Sequence, residues 1–476
     1  MRVALISSEC VPFIKTGGLA DVTGTLPNAL RGCGVEAYVI IPKYSMIPQH
    51  FRESMQHMTD FYTSMGWRNQ YVGADMLEID GIKYYFADNE YYFKQDYVYS
   101  GGDFETERFC WFCRAAIEIM EQLNIVPDVL HLNDWQSGLI APLLRTQYAY
   151  KPQWSKTRTV FTIHNLRYQG LMSPRLVNDM LGLGQDCLEK TEYYCNTNAM
   201  KAGIVYSDIV STVSPTYAKE ICTPRYGETL DGLIRTRGDC VIGILNGIDR
   251  QLYNPWKDPA LAARFSKNSS SGKKKCKLAL QSELGLHQDP DAPIVSMISR
   301  LTNQKGIDLV EAVIPGLLDL GAQIVILGIG DMHYQHVFGS MQAANPGRFA
   351  FRSEMDDAIA RRIYAGSDMF LMPSAFEPCG LSQMFALRYG CIPIVRETGG
   401  LADSVMPYNC YTDEGNGFSF RNYSANELYN AARMAIELFR ENKDAWERLV
   451  FRAMDTDLGW ERSAKEYRKL YERLTS

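Results

Sequence analysis

The sequence lacks the features that would place it at a membrane or on nucleic acid. No apolar run reaches the roughly 20 residues that a membrane span needs. The first residues, MRVALISSEC, lack the charged and then apolar pattern of a secretion signal. A basic surplus is also missing, because the formal net charge is -6, whereas nucleic-acid binders are usually basic. We therefore expect a cytoplasmic protein that binds neither a membrane nor nucleic acid.

The sequence also lacks the spacing of a metal site, although it contains 12 cysteines. Cys110 and Cys113 are close in CWFC, but no second ligand pair follows at a suitable distance. Their apolar neighbours indicate a buried helix face. The acidic pair Asp356 and Asp357 is better interpreted as a helix start, where acids favour the helix dipole. We expect reduced, structural cysteines and no metal site.

Short apolar runs alternate with segments of helical spacing along most of the chain, which is typical of parallel sheets covered on both faces. A polar stretch around residues 251–275 interrupts the alternation, and it restarts at PIVSMIS. The sequence therefore predicts two doubly wound α/β domains, residues 1–250 and 251–455, followed by an amphipathic helix over 456–476. An aromatic region at about 51–108 predicts inserted hairpins, and the run Lys273–Lys275 predicts a solvated loop or the start of a helix.

The hexapeptide TGGLAD occurs twice, and in both places it follows an apolar strand. Lys15 precedes the first copy, whose Gly17 and Gly18 would let the backbone approach a ligand closely, while a helix start favours an anion. Glu397 precedes the second copy and offers no positive charge. The first copy is therefore a candidate binding loop or a tight turn, and the second a wall of the ligand cleft without an assigned role.

Other loops at predicted strand ends carry charged residues, and ligands bind beyond the carboxyl ends of parallel strands. Arg300 and Lys305 in SRLTNQKG suit a diphosphate, since arginine can bind two oxygens in a fork. Glu377 in PSAFEPCGLSQ lies before a helical run, where it could cap the helix or bind sugar hydroxyls. His164 in TIHNLRYQG and Asp134 in HLNDW also follow strands, although a lone histidine is more often a core residue.

Taken together, the motifs KTGGLADV, TIHNLRYQG, TVSPTYAKEI, LNGID, SRLTNQKG, PSAFEPCGLSQ and TGGLADSV resemble those of bacterial glycogen synthases and plant starch synthases, in the same order. The resemblance covers nearly the whole chain. It implies the GT-B fold, with two Rossmann-like domains facing an interdomain cleft. The N-terminal domain would serve the glucan acceptor and the C-terminal domain the nucleotide-sugar donor, with the last helix packing back on the N-terminal domain.

The resemblance also implies roles for individual residues. Lys15 would bind the donor near its phosphate and glucose, and Arg300 and Lys305 would hold the diphosphate. Glu377 would bind the transferred glucose, with His164 and Asn246 lining the sugar pocket. The remaining predicted site residues are Asp134 and Asp21, near the donor or acceptor sugar, and Gly17, Gly18, Cys379, Gly380, Leu381 and Ser382 along the donor.

The sequence departs from the family pattern in three places, of which the mildest is Ser382, where threonine is frequent. Met355 stands where the family usually has an aromatic residue that stacks on the nucleobase, which leaves the preference for ADP-glucose over UDP-glucose open. Asn133 stands where many bacterial members have histidine, and we expect little consequence because Asp134 is retained.

The reaction implied is transfer of glucose from ADP-glucose to the non-reducing end of an α-1,4-glucan, with retention of configuration. It needs no metal and no pyridoxal phosphate. Two alternatives keep the fold: a sugar-binding protein or isomerase that has lost transfer, and a glucan phosphorylase with a Schiff-base lysine. The first alternative predicts that Lys15, Arg300, Lys305 or Glu377 would be replaced, and all four residues are present. The oligomeric state is not predicted.

Overall fold

The computed structural model describes residues 1–354 and 356–476, which form two compact units. Unit 1 consists of Met1–Gly247 together with Trp460–Ser476, and unit 2 of Ile248–Gly459. Each unit contains a large sheet covered by helices. The prediction of doubly wound parallel-sheet domains is confirmed by the sheet topology of both units.

Unit 1 is built on a nine-stranded sheet with the order β12-β11-β7-β6-β1-β2-β5-β4-β3 and on a small antiparallel sheet, β8-β10-β9. Its strands are β1 Arg2–Ile6, β2 Glu36–Pro42, β3 Gln56–Met65, β4 Arg68–Ile79, β5 Ile82–Asp88, β6 Val129–Asn133, β7 Arg158–Ile163, β8 Leu171–Met172, β9 Glu192–Tyr193, β10 Asn196–Asn198, β11 Ile209–Thr212 and β12 Val241–Gly243. Its first helices are α1 Gly18–Gly32, α2 Gln49–Ser54, α3 Glu90–Phe93, α4 Gly102–Gln122, α5 Trp135–Gly138, α6 Ile140–Leu143, α7 Pro174–Leu181, α8 Gln185–Thr191, α9 Ala199–Tyr206, α10 Pro215–Glu220 and α11 Asp231–Thr236.

The aromatic region predicted as inserted hairpins extends this same sheet. Strand β5 pairs in parallel with β2, and β4 and β3 then continue the sheet in antiparallel fashion. The hairpins end at Asp88, because the following aromatic residues form the short α3 and the first part of α4. Burial of Tyr84, Phe86 and Tyr92 in the unit 1 core explains the aromatic composition.

Unit 2 is built on a six-stranded sheet, all parallel, with the order β15-β14-β13-β16-β17-β18. This is the strand order of dinucleotide-binding Rossmann sheets. Its strands are β13 Ile294–Ile298, β14 Gln323–Leu327, β15 Phe349–Arg352, β16 Met369–Met372, β17 Ile392–Arg396 and β18 Phe418–Phe420. Its helices are α12 Ser271–Leu284, α13 Ile307–Asp319, α14 Met332–Ala344, α15 Asp357–Gly366, α16 Ser382–Arg388, α17 Gly399–Ser404, α18 Ala425–Glu441 and α19 Lys443–Asp455.

The last helix, α20 Trp460–Thr475, returns to unit 1 and packs beside α1. Its buried face includes Trp460, Tyr467 and Tyr471, which belong to the core of that unit. The Tyr471 hydroxyl lies 2.7 Å from Nδ1 of His131 in β6, and Nε2 of His131 lies 2.6 Å from the Thr162 hydroxyl in β7. The helix is thus bonded into the middle of the unit 1 sheet.

Within the described residues, no helix combines the length and the apolar character required to cross a membrane. All 12 cysteines are free thiols.

Candidate active site

In unit 1, several of the predicted residues follow the carboxyl ends of the neighbouring strands β1, β6 and β7. Strand β1 lies between β2 and β6, so the chain leaves β1 toward one side of the sheet and returns on the other. Such a switch point opens a crevice in which doubly wound sheets bind ligands. The loop after β1 carries Lys15, and Asp134 and His164 directly follow β6 and β7.

A buried carboxylate that the sequence analysis missed organises the first TGGLAD loop. Glu9 accepts hydrogen bonds from the Thr16 hydroxyl at 2.6 Å, the Gly17 amide at 3.2 Å and the Tyr99 hydroxyl at 2.6 Å, and also from the Thr16 amide. The carboxylate of Glu9 therefore accepts hydrogen bonds from loop amides that the sequence predicted to bind an external anion. Gly17 itself faces open space, with no atom within 4 Å of a β-carbon placed there.

Lys15 and Asp21 form an ion pair, with the Lys15 ammonium 2.9 Å from the Asp21 carboxylate. Lys15 sits before helix α1 and Asp21 in its first turn. The Lys15 side chain remains 37% exposed, so its charge is accessible to an approaching anion. The first copy of TGGLAD is thus preceded by an exposed cation that pairs with the partly buried Asp21.

The pair Asn133 and His164 has a defined proton arrangement. The Asn133 amide nitrogen donates to the backbone carbonyls of Ile6 at 3.1 Å and His131 at 3.2 Å, which turns its oxygen toward His164 Nε2, 2.9 Å away. An oxygen only accepts, so Nε2 of His164 carries the proton. Burial lowers the pKa of His164 to about 3. His164 is therefore neutral, and its Nδ1 is an acceptor.

Asp134 combines a strained backbone with an enclosed carboxyl group. Its φ is 54° and its ψ is -178°, a conformation that side chains disfavour and that structures retain where the surroundings fix it. The carboxyl oxygen Oδ1 accepts the amide hydrogen of His164 at 2.7 Å. Burial raises the pKa of Asp134 to about 7, with Glu9 adding to the effect. Asp134 and His164 are thus brought together by adjacent strands.

Asn246 lies in the loop after β12, two strands from β7, and so is not beside His164 in the sheet order. Its side-chain oxygen is buried and has no hydrogen-bond partner among the described residues. A buried acceptor without a donor is unfavourable, and a ligand that donates a hydrogen bond would satisfy it.

In unit 2, the switch point lies between β13 and β16, and the loops after these two strands carry the predicted charges. Arg300 is exposed at the start of the first loop, and Lys305 ends a short 3-10 turn, Asn303–Lys305. Gly306 follows with φ 71°, and a β-carbon there would lie 2.3 Å from the Pro373 carbonyl oxygen. The two loops are therefore in direct contact.

Lys305 and Glu377 meet at this contact, 72 residues apart in sequence. The Lys305 ammonium donates to Oε2 of Glu377 at 2.6 Å, and the Ser374 hydroxyl donates to the same oxygen at 3.0 Å. Glu377 is buried, and the exposed fraction of the Lys305 side chain is 17%. The carboxylate does not cap a helix, since its partners are Lys305 and Ser374.

The residues after Glu377 form a tight loop into α16. Cys379 is buried, Gly380 has φ 71°, and Leu381 and Ser382 are half-buried. A β-carbon on Gly380 would lie 2.5 Å from Oε1 of Gln383, which explains the glycine. Met355, the predicted nucleobase contact, lies outside the described residues.

Over residues 1–354 and 356–476, no group of three or more histidine, cysteine or acidic side chains is arranged to hold a metal ion.

Comparison with known proteins covers both units. Residues 2–236 match the family described as starch synthase catalytic domain, and residues 285–447 match glycosyl transferases group 1. A glycogen synthase of Desulforamulus reducens is 47% identical over 476 residues, which cover 100% of this chain and 99% of the relative. A glycogen synthase of Geobacillus stearothermophilus is 46% identical, with 100% and 98% covered.

Solved structures are also similar to this chain over nearly its whole length. The catalytic domain of starch synthase IV from Arabidopsis thaliana, bound to ADP and acarbose, has a TM-score of 0.92 and 34% identity, covering 100% of this chain and 99% of that chain. Sucrose-phosphate synthase from Thermosynechococcus elongatus, at 18% identity and a TM-score of 0.61, shares the fold.

Proposed function

The chain belongs to the family of glycogen and starch synthases, glycosyltransferases of GT-B fold, and from this premise we propose that it transfers glucose from ADP-glucose to an α-1,4-glucan with retention of configuration. The observation that carries the proposal is the buried contact between Lys305 and Glu377 at the switch point of a Rossmann sheet. A cation and a carboxylate held side by side there suit a ligand with a phosphate next to a sugar. The starch synthase structure bound to ADP and acarbose supports the same substrate classes.

In this proposal unit 2 binds the donor. Arg300, exposed on the loop after β13, and Lys305 bind the diphosphate, whose charge grows as the sugar leaves. Glu377 accepts hydrogen bonds from the hydroxyl groups of the transferred glucose. The backbone from Cys379 through Gly380 and Leu381 to Ser382 lies along the sugar and phosphate.

Residues of unit 1 are also proposed to contact sugar. The Nδ1 acceptor of neutral His164 suits a sugar hydroxyl donor, and the buried oxygen of Asn246 lacks a partner that a hydroxyl could supply. Lys15, an exposed cation paired with Asp21, is proposed to bind the donor. Asp134 lies beside His164 and contacts the donor or acceptor sugar.

Retention is proposed to follow a front-face path. The bond between the anomeric carbon and the diphosphate oxygen breaks, the acceptor 4-hydroxyl oxygen bonds to the same face, and its proton passes to the departing diphosphate. One carboxylate oxygen of Glu377 already accepts hydrogen bonds from Lys305 and Ser374. In this proposal Glu377 therefore accepts hydrogen bonds from the sugar and does not act as a nucleophile. Cations preorganised for the developing charge are commonly the largest contribution to catalysis.

The test measures nucleotide release with ADP-glucose and UDP-glucose offered separately, each with a glucan primer. We expect release from ADP-glucose. Lys305→Ala and Glu377→Ala should each lower turnover by roughly a hundred-fold or more, the usual effect of removing one preorganised group. The exposed Lys274→Ala serves as the matched control and should retain the wild-type rate.

Transfer from neither donor would contradict the proposal, and near wild-type turnover in both variants would mean that the donor site lies elsewhere. A preference for UDP-glucose would retain the reaction class and direct attention to Met355.

A further inference from the structure

The two TGGLAD copies differ in what surrounds their glycines. In the first copy, Gly17 faces open space. In the second copy, a β-carbon on Gly399 would lie 2.0 Å from the Glu377 carbonyl oxygen, and one on Gly400 would lie 2.2 Å from that of Cys379. Gly399 also has φ 44°. The second copy therefore packs its backbone directly against the loop that bears Glu377.

Hydrogen bonds connect the same two segments. The Gly400 amide donates to the carbonyl oxygens of Glu377 at 3.2 Å and Pro378 at 3.1 Å. These are main-chain contacts, so they hold the backbone of Glu377 and leave its carboxylate to Lys305 and Ser374. In the first copy, by contrast, the loop amides bond to the carboxylate of Glu9 itself.

Gln383 bridges the second copy to the far side of the loop. Its side-chain nitrogen lies 3.0 Å from the Ser404 hydroxyl, 3.1 Å from the Cys379 carbonyl oxygen and 3.1 Å from the Gly380 carbonyl oxygen. The Ser404 hydroxyl in turn donates to the Gly400 carbonyl at 2.6 Å. Both Gln383 and Ser404 are buried. The contacts form a closed network around residues 377–380.

Ser404 directly follows the second hexapeptide, and the corresponding residue after the first copy is Val22. Valine has no hydroxyl, so the first copy cannot form this network. We propose that the second TGGLAD with Ser404 is a positioning element, which acts through Gln383 to fix the loop that presents Glu377 to the donor sugar. This inference rests on the proposed function, because it assumes that Glu377 binds the donor.

The test compares Ser404→Ala with Ser404→Thr in the full chain. Removing the hydroxyl should lower kcat/KM for ADP-glucose by about tenfold, since small displacements of a positioning group lower rates strongly. Inhibition by ADP should weaken by a smaller factor than kcat/KM falls, because ADP lacks the glucose that Glu377 binds and retains its contact with the exposed Arg300. Ser404→Thr retains the hydroxyl and should restore kcat/KM.

Ser296→Ala is the matched control, because Ser296 is also a buried serine of unit 2 and bonds to a backbone carbonyl, that of Met369 at 3.2 Å. The unfolding temperature of Ser296→Ala should fall as far as that of Ser404→Ala, but its kcat/KM should stay at the wild-type value. Gln383→Met should lower kcat/KM as much as Ser404→Ala does. The kcat/KM of the double variant should be no lower than that of the less active single variant, because both substitutions disrupt one network.

The inference is overturned if Ser404→Ala retains kcat/KM within twofold while Glu377→Ala is inactive, or if Ser296→Ala loses as much activity. Wild-type activity in Glu377→Ala would instead overturn the role proposed for Glu377, and this inference with it, whereas transfer from neither donor would overturn the proposed function. If the wild-type protein prefers UDP-glucose, the same comparison applies with UDP-glucose and UDP.

Discussion

Asp134 shows how one enclosed side chain can make a fold sensitive to pH. An aspartate in an unfolded chain titrates near pH 3.9, whereas burial raises the pKa of Asp134 to about 7. Between these values the folded protein retains a proton that the unfolded chain releases. Stability from this group is therefore fully present below about pH 4 and is lost as the pH rises through about 7.

Asp134→Asn should remove this loss of stability with rising pH, because the asparagine side chain stays neutral. We expect the variant to gain about 1 to 4 kcal/mol in unfolding free energy relative to wild type between pH 4 and pH 7, at about 1.4 kcal/mol for each unit of pKa shift. Denaturant unfolding at a series of pH values measures it. The exposed Asp128→Asn is the control, and a difference that stays constant from pH 4 to pH 8 would contradict the expectation.

At the same scale, the sequence predicted charged side chains in several loops after strands and missed one whose partner is distant in sequence. Lys305 and Glu377 were both identified from their loops, and the structure places them in contact. Glu9 was missed, since its partner Tyr99 is 90 residues away and no local pattern connects them. The roles assigned to the individual site residues remain predictions.

At the scale of the element, the run Lys273–Lys275 lies in helix α12, and only part of it is solvated. Lys274 and Lys275 are exposed, as predicted for a solvated surface. Lys273 is not, because its ammonium lies within 2.9 to 3.3 Å of four backbone carbonyl oxygens, those of Tyr364, Ala365, Ser367 and Tyr389. One lysine thus satisfies carbonyls near the ends of α15 and α16, which a charge pattern does not reveal.

Lys273→Met should leave these carbonyls without a donor and destabilise the protein by about 2 to 3 kcal/mol, as expected for buried polar groups that lose a charged partner. Lys274→Met, one position along the same helix, should change the unfolding free energy by less than about 0.5 kcal/mol. Thermal or denaturant unfolding compares the two variants. Equal effects would mean that the Lys273 contacts do not contribute.

The strands were the most predictable elements, because buried parallel strands appear as short apolar runs. RVALI, VLHLN and IVSMI all form central strands. The aromatic stretch after Asp88 was harder to interpret, because tyrosine and phenylalanine suit hairpins and buried helix faces equally. There the core of unit 1 decided between helix and strand.

At the scale of the whole molecule, unit 1 is assembled from two separate parts of the chain. Helix α20 contributes Trp460, Tyr467, Leu470 and Tyr471 to its core. Removing one such anchor should loosen unit 1 without affecting the separate core of unit 2. The pattern of contacts, rather than the order of the sequence, therefore sets the units of stability.

Tyr471→Ala should cost about 3 to 5 kcal/mol, the usual range for deleting a large buried aromatic side chain. Hydrogen exchange followed by mass spectrometry should show faster exchange in the strands of unit 1, β6 and β7 in particular, and unchanged exchange over residues 248–459. The exposed Arg473→Ala on the same helix is the control. Loss of protection in unit 2 as well would contradict independent cores.

The return of α20 to unit 1 also has a consequence for biosynthesis. Every residue of unit 2, Ile248–Gly459, is translated before the first residue of α20. During synthesis, unit 1, though started first, therefore lacks the helix that closes its core until all of unit 2 has been translated. The domain that begins the chain is the last to be completed.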